Sequence, residues 1–104
     1  MAVFVENITL CITENNIVLA GELTRQTVMT LPKKSIKQIV NQKTSVIDLQ
    51  QVDQIDTAGL AWLFYLLELA SQTGCQLTFS SVPAKLKKLI SLSGVGGFLP
   101  VESI

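Results

Sequence analysis

The sequence predicts a single α/β domain. Three observations carry that prediction: two short strand-like runs near the start, a strand–helix–strand succession in the middle, and a hydrophobic content of 48% in 104 residues. A chain of this length and composition supports one core. No internal repeat or linker divides it, so the domain spans residues 1–104.

Taken in order, Asn7 to Thr13 and Asn16 to Gly21 read as strands joined through the turn-prone Glu14-Asn15-Asn16, which predicts a hairpin. Gly21-Glu22-Leu23 leaves the second strand. Thr24 is placed to cap a helical stretch with Val28, Leu31, Ile36, Ile39 and Val40 at helical spacing, kinked or divided by Pro32. Thr44 to Leu49 is an apolar run suited to a buried central strand, and Gln50 to Gln54 reads as a turn. Asp48 is the polar exception in that run; it serves either to accept loop N–H groups, the simpler reading, or as a catalytic carboxylate. After a long helix, Gly74 is placed as its C-terminal cap and Cys75 to Ser80 alternates as another strand, implying a right-handed parallel crossover. Val82-Pro83 starts a helix with Leu86, Leu89 and Ile90 on one face and Lys85, Lys87 and Lys88 turned outward. Those lysines read as a solvated face, since contact with acidic lipid headgroups at ~1 kcal/mol per basic residue gives only marginal binding. Gly94, Gly96 and Gly97 end that helix, and Phe98 to Val101 can add a last strand.

The stretch on which the chain turns is Ile55-Asp56-Thr57-Ala58-Gly59-Leu60, which ends a β-type run and opens the long helix. Asp56 or Thr57 can accept hydrogen bonds from the first free N–H groups of that helix, and a carboxylate there complements the helix dipole. Gly59 in the first turn costs the helix ~1 kcal/mol relative to Ala, so it predicts a close approach to the backbone. Advancing about 100° per residue, Gly59, Trp62, Leu63, Leu66 and Ala70 form the core face, with Leu67 and Leu69 at its margins. Thr57, Ala61, Phe64, Glu68 and Gln72 fall opposite, flanked by Leu60 and Tyr65. A helix that is apolar nearly all round is either covered or left as a contact patch, and this patch adjoins Thr57.

Composition excludes several function classes. Eight basic and eight acidic residues give zero net charge, which argues against nucleic acid and other strongly electrostatic partners. Met1 to Glu6 lacks a positive n-region and no apolar run reaches the ~18 residues of a membrane span, so a cytoplasmic location is expected. Cys11 and Cys75 are too few for a disulfide framework, and without histidine they complete no usual zinc site; both are expected reduced, in strands. Asp53 and Asp56 could touch a hard cation, but no further oxygen-rich spacing supports one. The missing histidine also removes the commonest acid–base device, and no phosphate-binding glycine loop followed by Lys and Ser or Thr occurs. The residues read as a binding module, with no catalytic residue, metal or cofactor.

Gly21-Glu22-Leu23, Val46-Ile47-Asp48-Leu49 and Val52-Asp53-Gln54-Ile55-Asp56-Thr57-Ala58-Gly59-Leu60 together resemble the STAS domain, the fold of anti-sigma-factor antagonists and sulfate-transporter tails. Asp56 to Ala61 with Leu67-Glu68-Leu69-Ala70 is most similar to the STAS subunits of bacterial Mla phospholipid transporters. The resemblance implies a mixed central sheet of about four or five strands with helices packed around it. It also implies that the start of the long helix binds an ABC-type ATPase subunit, MlaF, and through it the inner-membrane permease, leaving the chain peripheral to that membrane. Thr57 stands at the family's contact position, with Asp48 and Asp56 in its motif. The expected partner surface is Thr57, Ala58, Gly59, Leu60, Ala61, Phe64, Tyr65 and Glu68. In anti-sigma-factor antagonists the same position is usually a phosphorylated serine; here Thr57 and Ala58 follow Asp56, and Thr57 remains phosphorylatable. An antagonist switched at Thr57, or a domain that itself carries a lipid or nucleotide, are the competing readings.

The purified chain is expected to be catalytically silent. ATP turnover that survives removal of contaminants, or tight binding of a divalent metal, would contradict the exclusion.

Overall fold

A computed structural model of the chain describes residues 2–5 and 7–93. Five strands, β1 (Ala2–Val5), β2 (Ile8–Thr13), β3 (Asn16–Leu23), β4 (Thr44–Ile55) and β5 (Gln76–Ser80), lie side by side in chain order. Among the described residues four helices accompany them: α1 (Arg25–Val28), α2 (Lys33–Val40), α3 (Thr57–Thr73) and α4 (Ala84–Ser93). β1, β2 and β3 pair antiparallel, whereas β3–β4 and β4–β5 are parallel, so the sheet is mixed.

The hairpin closes as its sequence suggests, with Thr13 opposite Asn16 and Glu14 in the left-handed region at φ 55°. β1 is a strand that the sequence reading missed. It pairs Ala2–Val5 with Cys11–Ile8, and four residues at a sheet edge are too few to display an alternation. Period-two alternation in β2, β3 and β5 sends Ile8, Leu10, Ile12, Ile17, Leu19, Leu23, Leu77 and Phe79 to one buried face. Trp62, Leu63, Leu66 and Ala70 of α3 cover that face together with Ile36, Ile39 and Val40 of α2 and Leu86 and Ile90 of α4. α3 touches all three other helices, as expected when successive right-handed crossovers lay their helices on one side of a sheet. Cys11 is exposed on β2 and Cys75, just ahead of β5, is buried; both are free thiols.

Pro32 divides the helical stretch after β3, standing as the N-cap of α2, while α1 is only one turn long. The Thr24 N–H donates to Thr27 Oγ1 at 2.9 Å, and that hydroxyl donates to the Glu22 carbonyl at 2.7 Å, which fixes how β3 passes into α1. Gly74 caps α3 in the left-handed conformation at φ 80°. Thr73 Oγ1 donates to the Val40 carbonyl at 2.7 Å and so ties the end of α3 to the end of α2.

The expected turn at Gln50–Gln54 is instead part of β4. Two register shifts against β3 each insert an extra residue on β4: Val18 pairs with Asp48 but Ala20 with Gln51, and Gly21 pairs with Val52 but Glu22 with Gln54. These bulges disguise the strand, because after Ser45, Ile47 and Leu49 the next inward residue is Val52 rather than Gln51. Asp48 sits at the first bulge, where its Oδ1 accepts the Gln50 N–H at 2.9 Å, the local structural role that the simpler reading assigns. The last strand over Phe98 to Val101 and the helix end at Gly94, Gly96 and Gly97 lie outside the described residues.

The close approach that Gly59 predicts is made by the chain itself. A Cβ built on Gly59 would run into the carbonyl oxygen of Leu23, at the end of β3, with the Leu23 carbonyl carbon at 2.9 Å and Ile55 Cγ1 at 3.2 Å. Gly59→Ala should therefore destabilise the fold although Ala is the better helix former by ~1 kcal/mol. A rigid backbone oxygen cannot swing aside, so the overpacking cost should leave a net loss of roughly 2 kcal/mol. Thermal unfolding by circular dichroism checks this: a melting temperature equal to or above that of the unmodified chain would refute the packing account.

Candidate functional site

Leu23 of β3 and Ile55 of β4 are register partners, so the two parallel strands end together and release α1 and α3 from the same end of the sheet. Asp56 stands between them. Its Oδ1 accepts the Gly59 N–H at 2.8 Å, making it the N-cap of α3, and its Oδ2 accepts the Arg25 N–H at 3.1 Å, the first residue of α1. One carboxylate thereby satisfies donors at two helix N-termini, where negative charge is favoured. Of the two expected capping residues, then, Asp56 is the cap and Thr57 is freed from that duty.

Thr57 is exposed, and its hydroxyl has no hydrogen-bond partner among the described residues. Along α3 the exposed line continues through Ala61, Tyr65, Glu68 and Gln72. Tyr65 is 46% exposed, and Ala58 is half-buried beside this line. Three residues of the expected surface lie differently. Leu60 is 5% exposed and belongs to the core, on a helix that packs against all three of the other described helices. Gly59 is buried against Leu23, so it offers nothing to a partner directly. Phe64 is half-buried and packs on the core cluster, presenting only part of its ring. An idealised helical wheel treats every direction away from the sheet as open; neighbouring helices make one of those directions interior.

Met29, the C-cap of α1, is 78% exposed in the link to α2, and both of those helices rest against α3. Its position between Val28 and Leu31, off the apolar spacing, is the one sequence signal that it would be outside. What the site offers chemically is a small free hydroxyl at a helix N-terminus, an alanine, a partly shielded aromatic ring and a tyrosine. Such a set suits close protein–protein contact, and the hydroxyl is open to phosphorylation at an end where added negative charge is electrostatically tolerated. Among the described residues no cluster of three acidic or cysteine side chains could hold a metal.

The double cap gives Asp56 a structural weight separable from any role in binding. Asp56→Ala removes the acceptor for both N–H groups and should cost about 2–3 kcal/mol of stability, whereas Asp56→Asn keeps one good acceptor and should cost about half as much. Chemical denaturation of both variants measures the difference. Equal losses, or none, would mean that the carboxylate does not span the two helices.

A family model described as "Mlab, STAS domain" matches residues 11–101. The chain is 32% identical over 80 residues to the "Intermembrane phospholipid transport system binding protein MlaB" of Escherichia coli K12, covering 77% of this chain and 80% of that protein. The Shigella flexneri protein of the same description matches equally. Among solved structures, an anti-sigma factor antagonist from Mycobacterium paratuberculosis superposes with a TM-score of 0.71 at 20% identity, over 93% of this chain and 85% of that one. The Bacillus cell fate determinant SpoIIAA in its phosphorylated form superposes with a TM-score of 0.62 at 16% identity, over 92% and 91%. These two establish a shared fold and nothing finer. With the β-strand order, the Asp56-capped long helix and a family match spanning most of its length, the chain belongs to the STAS domain family, in its MlaB-type branch.

Proposed function

We propose that this chain is a non-catalytic STAS subunit that binds and supports the ABC ATPase of an intermembrane phospholipid-transport system, the kind that maintains outer-membrane lipid asymmetry. It would act on the cytoplasmic side of the inner membrane, held there through the MlaF-like ATPase and its permease. Among the described residues no helix is long and apolar enough to cross a membrane, which fits attachment through partners. The name of the Escherichia coli relative supports the transport system. The observation that carries the binding role is the unpartnered Thr57 hydroxyl at the head of the exposed line Ala61, Tyr65 and Glu68, on a helix start already fixed by Asp56.

The same free hydroxyl favours a second reading, an anti-sigma-factor antagonist regulated by phosphorylation of Thr57. Native complexes separate the two: recovery of an ATPase with a permease supports the first, and a serine kinase with a sigma factor supports the second. A small ligand recovered without protein would favour a lipid or nucleotide carrier over both.

Thr57 also provides the quantitative test. Thr57→Ala removes one hydrogen bond and should weaken ATPase binding by ~0.5–1.5 kcal/mol. Thr57→Glu places a carboxylate that the free helix tolerates at its positive end but that the complex must desolvate without a counter-charge, a penalty of several kcal/mol. Titration calorimetry should therefore show binding collapse for Glu and weaken for Ala, with circular dichroism native-like for both. Unimpaired binding by Thr57→Glu would move the interface away from this helix start.

A further inference from the structure

The zero net charge hides a local imbalance on α2. Lys33, Lys34 and Lys37 are all exposed on this eight-residue helix, and α2 carries no acidic side chain. Lys33 and Lys34 lie in the first turn, at the positive end of the helix dipole, where cations are disfavoured. None of the three forms an ion pair among the described residues, even though Glu14 borders the depression beyond Lys34 and Lys37. A second feature adjoins them. Between α2 and α3 runs an open groove of about 420 Å³ with Ile36, Val40 and Leu69 in its floor, Tyr65 at its side and Lys33 and Lys37 on its rim. Along α3 it extends from Tyr65 to Thr73, which at ~1.5 Å per residue is about 12 Å, two turns of a docked helix.

We propose that this groove receives an acidic amphipathic helix of the ATPase partner, with its apolar residues on Ile36, Val40 and Leu69 and its carboxylates paired to Lys33 and Lys37. The inference rests on the reading that the chain binds such an ATPase, and it extends the contact from Thr57 along α3 through Tyr65. Apolar anchors at helical spacing in a groove, flanked by charge of the opposite sign, are the recurring form of helix recognition. An acidic occupant also removes the unfavourable cluster of positive charge at the start of α2, which no described residue of this chain does.

The test uses the full chain and the purified ATPase. The double variant Lys33→Glu/Lys37→Glu should bind at least about tenfold more weakly in titration calorimetry, with a flatter salt dependence than the unmodified chain. Its fold should remain native by circular dichroism, with little change in melting temperature, because Lys33→Glu complements the positive end of the α2 dipole while Lys37→Glu, in the last turn, opposes it. Carbodiimide treatment of the unmodified complex should join Lys33 or Lys37 through amide bonds to Asp or Glu side chains spaced three or four apart in one partner segment. Unaltered affinity and salt slope in the double variant, or cross-links arising only from Lys85, Lys87 and Lys88, would each overturn the proposal. If the unmodified chain fails to bind the ATPase at all, the functional reading itself falls and this inference falls with it.

Discussion

A single carboxylate, Asp56, accepts backbone N–H groups from the starts of two helices, and the end of the sheet from which α1 and α3 leave depends on that arrangement. Neither helix start could be left dry without stranding donors, and each capping bond is of the charge-assisted, stronger kind. Because one oxygen faces α3 and the other faces α1, the geometry couples the end of β3 to the end of β4. The Leu23 carbonyl pressed against Gly59 completes the lock from the other side. The result is a rigid platform on which Thr57 stands with its hydroxyl unused. Pre-organisation of this sort lowers the ordering cost of any association made at this helix start.

Much of this was legible in the sequence, and the residues show why. Gly74, Pro32 and Thr24 mark helix boundaries through local backbone chemistry that tertiary context did not override. The core face of α3 followed from spacing alone. The errors have physical causes of their own. Gln50 to Gln54 concealed strand structure because two bulges broke the alternation that announces a strand. Leu60 was placed outside because a wheel knows the sheet side of a helix but not its neighbouring helices. The pairing of Asp56 with Arg25 joins residues far apart in the chain, and no local signal encodes it.

Placing all helices of the described chain against one face of the sheet has a bearing on where partners can dock. The opposite face carries Thr9, Val18, Ala20, Val46 and Thr78, short or β-branched side chains that are half-buried, with no helix over them among the described residues. Their modest apolar surface gives no strong drive to association. The helical layer, by contrast, presents Met29 and Tyr65 beside lysines and a free hydroxyl, so contrast in chemistry as well as exposure concentrates on that side.

The bulges of β4 also act as a ruler. They add two residues to β4 relative to β3 while keeping the paired ends, Leu23 and Ile55, level. Removing either extra residue would pull the start of α3 back by one strand step, ~3.3 Å, more than the length of either bond that Asp56 makes to a helix start. Insertions and deletions between Asp48 and Ile55 are thus constrained by phase, although the segment looks like an ordinary polar loop. Relatives that change length there would have to compensate within the same strand.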